Sequence, residues 1–247
     1  NERIVMLEPR KLAARAAARR MAHMLGEKVG ETVGYQTRDE RVIGPNTRIE
    51  VLTEGVLTRR LQSDPDLPNV GIVIFDEVHE RNLPGDLGLA LLLHAQESLG
   101  SQQRILLMSA TLEGERLAGL LGDAPVLRSE GRMFPVETRY PGRNPAERIE
   151  DAVARAVRLA LNEETGSMLV FLPGQAEIRR VHQQLVDAIG ERSDVLLCPL
   201  HGELDLNAQR AAIDPAPAGQ RKVVLATNIA ETSLTINGVR VVIDAGL

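Results

Sequence analysis

Tryptophan is absent from this 247-residue chain, and aromatic residues make up only 2% of it. Proteins that hold single strands of nucleic acid by stacking their bases need aromatic platforms, so the composition argues against that mode of binding. The single cysteine, Cys198, has no partner. This excludes an internal disulfide and a cysteine-based metal site, and it is typical of a reducing cytoplasm. No run approaches the roughly 18 uninterrupted apolar residues that a membrane span needs.

A broad basic surface is also missing, since the formal net charge is −5. Proteins that grip nucleic acid by bulk electrostatics usually carry such a surface, so any contact of this kind must be local. Basic residues cluster between positions 3 and 20, where Glu8 is the one acidic residue. Lys11, Arg15 and Arg19 recur four residues apart, which also fits a solvated helix face.

Short apolar runs alternate with helical periodicity along the chain, which predicts an α/β fold of mostly parallel sheets flanked by helices. Ile72–Phe75 and Ile105–Met108 lack polar alternation, so we expect both to be central strands buried on both faces. Pro125–Leu127 and Val195–Leu200 are predicted to form further strands, and Pro145–Leu161 and Gln175–Ile189 to form helices.

Glycine and proline interrupt this pattern at residues 130–135. No strong element follows until Pro145, and the second half then repeats the alternation of strands and helices. We therefore predict two domains, residues 1–131 and residues 132–247, each long enough to bury a core of its own.

Two adjacent carboxylates, Asp76 and Glu77, directly follow the apolar run that ends at Phe75. Sites in open parallel sheets form beyond the carboxyl ends of strands, and paired carboxylates there are costly unless their charge is used. One carboxylate suits a hydrated Mg²⁺ beside phosphates, and the next suits orienting a water molecule and accepting its proton. An exposed polar turn is the alternative interpretation of Asp-Glu-x-His.

Two hydroxyl residues, Ser109 and Thr111, follow the next apolar run. Asp76 and Ser109 are 33 residues apart, the length of one strand–helix–strand unit. We therefore expect the hydroxyls to leave the neighbouring strand, close to the carboxylates. Thr111 also suits the N-cap of the helix that follows, and the two roles are compatible.

These residues resemble conserved motifs of the DEAH-box family of superfamily 2 helicases. Asp76-Glu77-Val78-His79 is similar to motif II, and Ser109-Ala110-Thr111 is similar to motif III. Further resemblances, in family order, are motif Ia at 8–14 (EPRKLAA), motif Ib at 53–55 (TEG), motif IV at 170–174 (VFLPG), its follow-up at 199–202 (PLHG) and motif V at 226–236 (ATNIAETSLTI). With Glu-Gly-Arg-x-Phe-Pro-Val at 130–136, the spacing most resembles the bacterial HrpB branch. The resemblance implies two RecA-like domains.

The resemblance also implies roles for single residues. The catalytic group comprises Asp76, Glu77, His79, Ser109 and Thr111, with Asp76 and Glu77 holding Mg²⁺ through water. Nucleotide contacts are expected from Asp76, Glu77, Thr235 and Asn237, and Asn237 stands where the family commonly has an acidic residue. Contacts to the RNA backbone are expected from Arg10, Lys11, Thr53, Gly55, Thr227, Asn228 and Thr232.

The function implied by the resemblance is that of an ATP-dependent RNA helicase using ATP and Mg²⁺. ATP would bind between the two domains, and hydrolysis would drive 3′-to-5′ movement on single-stranded or partly duplex RNA. A non-catalytic RNA-binding or scaffold protein of the same fold and a DNA translocase of the same superfamily are the alternatives, because backbone contacts do not by themselves distinguish the sugars.

Two elements of the family's machinery do not occur in the chain: the phosphate loop G-x-x-x-x-G-K-[ST] and the arginine-rich motif VI. We expect the first upstream of Asn1 and the second downstream of Leu247. Arginine fingers alone contribute roughly 10³- to 10⁵-fold in rate in related enzymes. The 247 residues by themselves are therefore expected not to hydrolyse ATP.

Overall fold

The computed structural model describes residues 2–110, 114–129, 131, 134–142, 144, 146–190, 192–230 and 236–246, with the backbone alone at 206 and 229. The chain divides into two compact units, Asn1–Gly131 (unit 1) and Arg132–Leu247 (unit 2). Three predicted site residues, Thr111, Thr232 and Thr235, lie outside the described residues. Within the described residues, no helix is long and apolar enough to cross a membrane.

Unit 1 is an α/β unit built on one sheet. Its elements are β1 Arg3–Glu8, α1 Lys11–Met24, β2 Val33–Gln36, β3 Arg41–Val42, β4 Ile49–Thr53, α2 Glu54–Ser63, β5 Val70–Phe75, α3 Leu83–Leu99, β6 Arg104–Leu107 and α4 Gly114–Leu120. The strand order is β3-β2-β4-β1-β5-β6, with β3 antiparallel to β2 and the other pairs parallel. The carboxyl ends of the parallel strands therefore meet at one edge of the sheet, called here the carboxyl edge.

Helices cover both faces of this sheet. Ala14, Ala18 and Ala22 recur every fourth residue on α1 and pack, fully buried, against β2 and β4. On the other face, Leu57 of α2 and Leu92 of α3 are completely buried against β1 and β5. Burying one such leucine stabilises the fold by about 1.5–3 kcal/mol relative to leaving it exposed. The two helical layers hold the carboxyl edge in place.

Unit 2 repeats the scheme with a smaller sheet. Its elements are α5 Ile149–Glu163, β7 Ser167–Phe171, α6 Gln175–Ile189, β8 Val195–Leu200, α7 Leu206–Ile213, β9 Arg221–Ala226 and β10 Val239–Asp244. The strand order is β10-β7-β9-β8, and the described pairs are all parallel. Val157 of α5 and Leu185 of α6 are fully buried against Met168 and Leu225. The prediction of an α/β fold with mostly parallel sheets and flanking helices is confirmed.

Three local predictions are wrong. Ile105–Met108 is not a central strand, because β6 lies at the end of the sheet order and Leu106 is 41% exposed. Pro125–Leu127 forms no strand, and Leu127 is 92% exposed. Helix α5 begins at Ile149 rather than Pro145, because Asn144 organises a turn in which its carbonyl accepts from Glu147 N (2.9 Å). The predicted strand at 125–127 pairs with no described strand. The predicted start of α5 is wrong because the residues before Ile149 form a separate turn.

Candidate active site

The acidic pair lies at the carboxyl edge of unit 1, beside the turn that carries the first hydroxyl. Met108 N donates to Phe75 O (2.8 Å), which continues the pairing of β5 with β6 to the strand ends. Val78 N then donates to Met108 O (3.1 Å) and joins the two turns. Ser109 follows Met108 directly. The structure therefore brings Asp76 and Ser109 to adjacent strand ends of one parallel sheet.

Glu77 has a left-handed backbone conformation, with φ 52° and ψ 36°. Its main-chain N donates to Asp76 Oδ1 (2.8 Å), and its own Oε2 lies 3.3 Å from His79 Nδ1. A left-handed conformation costs a residue that has a Cβ atom about 1–2 kcal/mol, and such residues concentrate at functional sites. This strained turn places the Glu77 carboxylate against His79, while the Asp76 carboxylate is held by the Glu77 main chain.

His79 connects the DEVH segment with the turn that follows β6. Besides Glu77, its Nδ1 contacts Ala110 N at 3.4 Å, and Ala110 is the small residue between the two predicted hydroxyls. Nδ1 accepts from Ala110 N when it carries no proton, and it donates to Glu77 when it carries one. The position of the proton on the His79 ring therefore determines whether Nδ1 bonds to Glu77 or to Ala110.

Negative charge accumulates around this turn. Burial raises the pKa of Asp76, and the bond from Glu77 N opposes the rise. Glu8, at the end of β1, is only 4% exposed, and burial followed by repulsion from Asp76, Glu77 and Glu80 raises its pKa to about 8. Among the described residues, Glu8 Oε2 has no hydrogen-bond partner. Sequence reasoning assigned Glu8 no role, although a carboxylate directly after an apolar strand was a usable signal.

A hydrated Mg²⁺ fits this edge. Carboxylate and water oxygens are the ligands that Mg²⁺ prefers, and a divalent cation would offset the carboxylate repulsion that adds to burial in raising the pKa of Glu8. Asp76 Oδ1 accepts from Glu77 N, which leaves Oδ2 to accept from a metal-bound water. In the part of the chain that the structure describes, no group of three or more His, Cys, Asp or Glu could hold a metal ion directly.

The predicted RNA-binding residues of unit 1 lie at the starts of two helices. Arg10 is the N-cap of α1 and Thr53 is the N-cap of α2, and neither side chain caps its helix. Lys11 is the first residue of α1. A Cβ atom added at Gly55 would meet nothing within 4 Å, so the side of the first turn of α2 that carries Gly55 faces open space. Main-chain N–H groups at helix starts are suited to phosphate oxygens.

The basic residues at these helix starts have acidic partners within unit 1. Arg10 Nη2 lies 3.6 Å from Glu80 Oε2, and Lys11 Nζ contacts the carboxylate of Asp39, whose pKa it lowers. The cluster at positions 3–20 is therefore less positive than its composition indicates. This pairing was invisible in the sequence, because the acidic partners come from other elements.

In unit 2, Thr227 and Asn228 lie at the carboxyl edge of the sheet. Thr227 N donates to Leu200 O at the end of β8 (3.4 Å). Asn228 opens a 3₁₀ turn in which Ala230 N donates to Thr227 O (3.3 Å). The two residues are thus brought together at one strand end.

Asn237 is not at that edge. It is exposed and precedes β10, and the next residue, Gly238, accepts at its carbonyl from Ser167 N at the start of β7 (2.9 Å). Because β9 and β10 run parallel to the same strand, the chain must return to the amino ends before β10 begins. Thr227 and Asn237 therefore lie at opposite edges of one sheet.

Comparison with known proteins extends these observations. Residues 150–247 match the family described as helicase conserved C-terminal domain. Over 244 residues the chain is 59% identical to ATP-dependent RNA helicase HrpB of Escherichia coli K12. The aligned region covers 99% of this chain and 30% of that protein. A crystal structure of E. coli DEAH/RHA helicase HrpB matches with 59% identity and a TM-score of 0.90, covering 99% of this chain and 31% of that one.

A second crystal structure, of E. coli DExH-box NTPase HrpB, matches with a TM-score of 0.78 and 30% of its chain covered. The chain thus spans less than a third of the length of the relatives it matches. Within that span the match is nearly continuous and includes both parallel sheets, which have the RecA-like fold. Over 99% of its length the chain is similar to helicases of the HrpB type.

Proposed function

We propose that these 247 residues form part of the motor of an ATP-dependent RNA helicase that couples ATP hydrolysis to movement along RNA and unwinding of RNA. The observation that carries the proposal is the carboxyl edge of unit 1. There the carboxylates after β5 and the hydroxyl after β6 lie on adjacent strand ends, with His79 between the two turns. The E. coli relative with 59% identity is named an ATP-dependent RNA helicase.

In this proposal Asp76 holds Mg²⁺ through water, and Glu77 orients the attacking water and accepts its proton. Bound Mg²⁺ would supply charge neutralisation for the phosphates. The strained turn and the contact with His79 restrict where the Glu77 carboxylate can lie. Ser109 and Thr111 would report the state of the phosphates to the rest of unit 1. A general base placed in this way contributes typically about 10²- to 10⁴-fold in rate.

RNA would be held through its backbone. In unit 1 the contacts come from Arg10, Lys11, Thr53 and Gly55, and in unit 2 they come from Thr227, Asn228 and Thr232. Helix starts and hydroxyls carry no base information, so weak sequence preference follows. Thr235 and Asn237 are proposed nucleotide contacts on family resemblance, and the exposure of Asn237 is compatible with that role.

The 247 residues alone are proposed to be inactive as an ATPase, because they contain no phosphate-loop pattern. A cytoplasmic location is proposed because a single cysteine without a partner is typical of a reducing compartment.

The test measures steady-state ATPase of the complete protein with Mg²⁺, alone and with single-stranded RNA or DNA. Wild-type protein is expected to hydrolyse ATP faster with RNA, and Glu77→Gln is expected to lose about 10²- to 10⁴-fold of the rate. Glu115→Gln, at an 87% exposed side chain of α4, is the matched control. Normal hydrolysis by Glu77→Gln would overturn the assignment of the base. RNA binding without hydrolysis would favour a scaffold, and preferential stimulation by DNA would favour a DNA translocase.

A further inference from the structure

A side-chain bridge connects the start of α2 with the start of α3. Asn82 Nδ2 donates to Glu54 Oε1 at 2.8 Å. The other atom of the same amide, Asn82 Oδ1, accepts from Gly85 N at 2.9 Å and caps α3. Both ends of the Asn82 side chain are thus engaged, one within its own helix and one across to α2.

The bridge is closely packed. A Cβ atom added at Gly85 would lie 2.6 Å from Glu54 Oε1, so a glycine is what lets the Glu54 carboxylate approach α3. Burial raises the pKa of Glu54, and the bond from Asn82 opposes the rise. Glu54 and Asn82 also line a cavity of about 130 Å³ whose wall includes Asp76. The bridge therefore shares a cavity with the first residue of the acidic pair.

The two ends of the bridge belong to different parts of the proposed motor. Glu54 stands between Thr53 and Gly55, the predicted RNA-binding residues at the start of α2. Asn82 follows the DEVH turn, and only four residues lie between it and Glu77.

The backbone between Glu77 and Asn82 is conformationally constrained. Glu77 and Arg81, both left-handed with φ 52° and 46°, flank the 3₁₀ turn Val78–Glu80. Arg10 contacts this turn through Glu80 at 3.6 Å, so the start of α1 reaches the same segment. Both predicted RNA-binding helix starts of unit 1 therefore touch residues 80–82. A displacement at either start would be passed along a short, constrained stretch of backbone.

We propose that Glu54 and Asn82 are positioning residues that transmit RNA binding at the start of α2 to the acidic pair after β5, so that ATP hydrolysis responds to RNA. The inference rests on the proposed function. RNA phosphate held at Thr53 and Gly55 fixes the first turn of α2, and Glu54 moves with that turn. Its bond to Asn82 then orders the cap of α3 and the DEVH segment before it. Breaking the bond uncouples turnover from RNA while the phosphate contacts themselves remain.

The test uses the complete protein and measures ATPase as a function of single-stranded RNA concentration. Asn82→Ser retains a good N-cap for α3 but has no amide to donate to Glu54. It is expected to lower the RNA-saturated kcat at least fivefold, the lower end of typical coupling between sites, while the RNA concentration for half-maximal stimulation stays within about twofold. Asp86→Asn, which breaks an exposed ion pair with Arg81 in the same turn, is the matched control and is expected to behave as wild type.

A polarity swap separates coupling from a purely structural role. Asn82→Asp places a carboxylate against Glu54, and it is expected to lower stimulation at least as much as Asn82→Ser. Adding Glu54→Gln reverses donor and acceptor, so the double variant is expected to recover most of the stimulation. Wild-type stimulation in Asn82→Ser, or a double variant no better than Asn82→Asp, would overturn the inference alone. Absence of RNA stimulation in the wild-type protein would overturn the proposed function and this inference together.

Discussion

The main-chain nitrogen of Glu77 donates a 2.8 Å hydrogen bond to the carboxylate of Asp76. The bond closes a turn in which Glu77 has φ 52° and its carboxylate lies 3.3 Å from His79. The proposed general base is therefore held on a backbone conformation that disfavours any residue with a Cβ atom. Stability and function are expected to conflict at this position.

Glu77→Gly is expected to be more stable than Glu77→Ala by about 1 kcal/mol, because both variants lose the side chain and only alanine keeps the left-handed penalty. Urea unfolding of the 247-residue chain, followed by circular dichroism, measures the difference. The same pair of substitutions at Arg59, an exposed position inside α2, should show the opposite order, since glycine costs about 1 kcal/mol relative to alanine within a helix. Equal stability of the two position-77 variants would argue against strain at this turn.

Glu8→Gln is expected to stabilise unit 1 more at pH 8 than at pH 5. The pKa of Glu8 rises from an ordinary 4.5 to about 8 in the folded chain. The folded state then binds a proton that the unfolded state has already released. The contribution of Glu8 to the unfolding free energy is therefore greatest below pH 4.5 and decreases as the pH rises to about 8. The slope for one group is at most about 1.4 kcal/mol per pH unit.

The measurement is urea unfolding of wild type and Glu8→Gln between pH 5 and pH 8 in buffer without Mg²⁺. The difference between the unfolding free energies of Glu8→Gln and wild type should increase steadily with pH. Glu31→Gln changes an exposed carboxylate in unit 1 and serves as the control, with no comparable pH trend. A constant gap would mean that Glu8 ionises normally in the folded chain.

Arg60→Met is expected to destabilise unit 1 by about 2–3 kcal/mol. Glu50 is 1% exposed and is neutralised by Arg3 at 2.8 Å and by Arg60 at 2.7 Å, the latter an ion pair that is not aligned as a hydrogen bond. Removing Arg60 leaves a buried carboxylate with one partner. The neighbouring Arg59→Met should change the unfolding free energy by no more than about 0.5 kcal/mol. Similar losses in the two variants would show that the ion pair has no special weight.

Asp39→Asn is expected to tighten RNA binding about two- to threefold at low salt, because the Lys11 ammonium then no longer divides its attraction between Asp39 and a phosphate. Fluorescence anisotropy with a labelled single-stranded RNA measures the affinity, and the gain should shrink as salt is raised. Asp194→Asn frees Arg192 in unit 2 by a similar exposed change and is the control. An equal gain in both variants would indicate a general charge effect instead of a local one.

Much of the fold followed from periodicity. Helical periodicity predicted α6 at Gln175–Ile189, and a short apolar run predicted β8 at Val195–Leu200. Both have the bounds that the structure shows. Strand placement followed less well. The apolar run Ile105–Met108 predicted a buried strand, but burial depends on which strands lie on either side, and β6 has a described neighbour on one side alone. The sequence pattern indicates local secondary-structure preference, whereas the position of a strand within a sheet depends on residues far away in the chain.

The candidate site divides in the same way. Asp76, Glu77, His79 and Ser109 were identifiable because they directly follow apolar strands, and residues at strand ends need no long-range information to be located. Glu8 also follows an apolar strand and could have been noted, whereas Glu54 and Asn82 were not identifiable as partners of the site. The role proposed for these two residues rests on contacts between elements, and no period in the sequence reports which helix start will face which turn.

The sequence by itself determined that this chain is α/β, that its candidate site residues follow β5 and β6, and which family it resembles, because these depend on short-range pattern and on the order of motifs. Tertiary structure alone decided that Lys11 is paired with Asp39, that Asn237 lies at the opposite edge from Thr227, and that Glu8 is buried beside the acidic pair. Charge pairing and desolvation act over a few ångströms in space between residues that are distant along the chain. They take effect only when folding has brought those residues together.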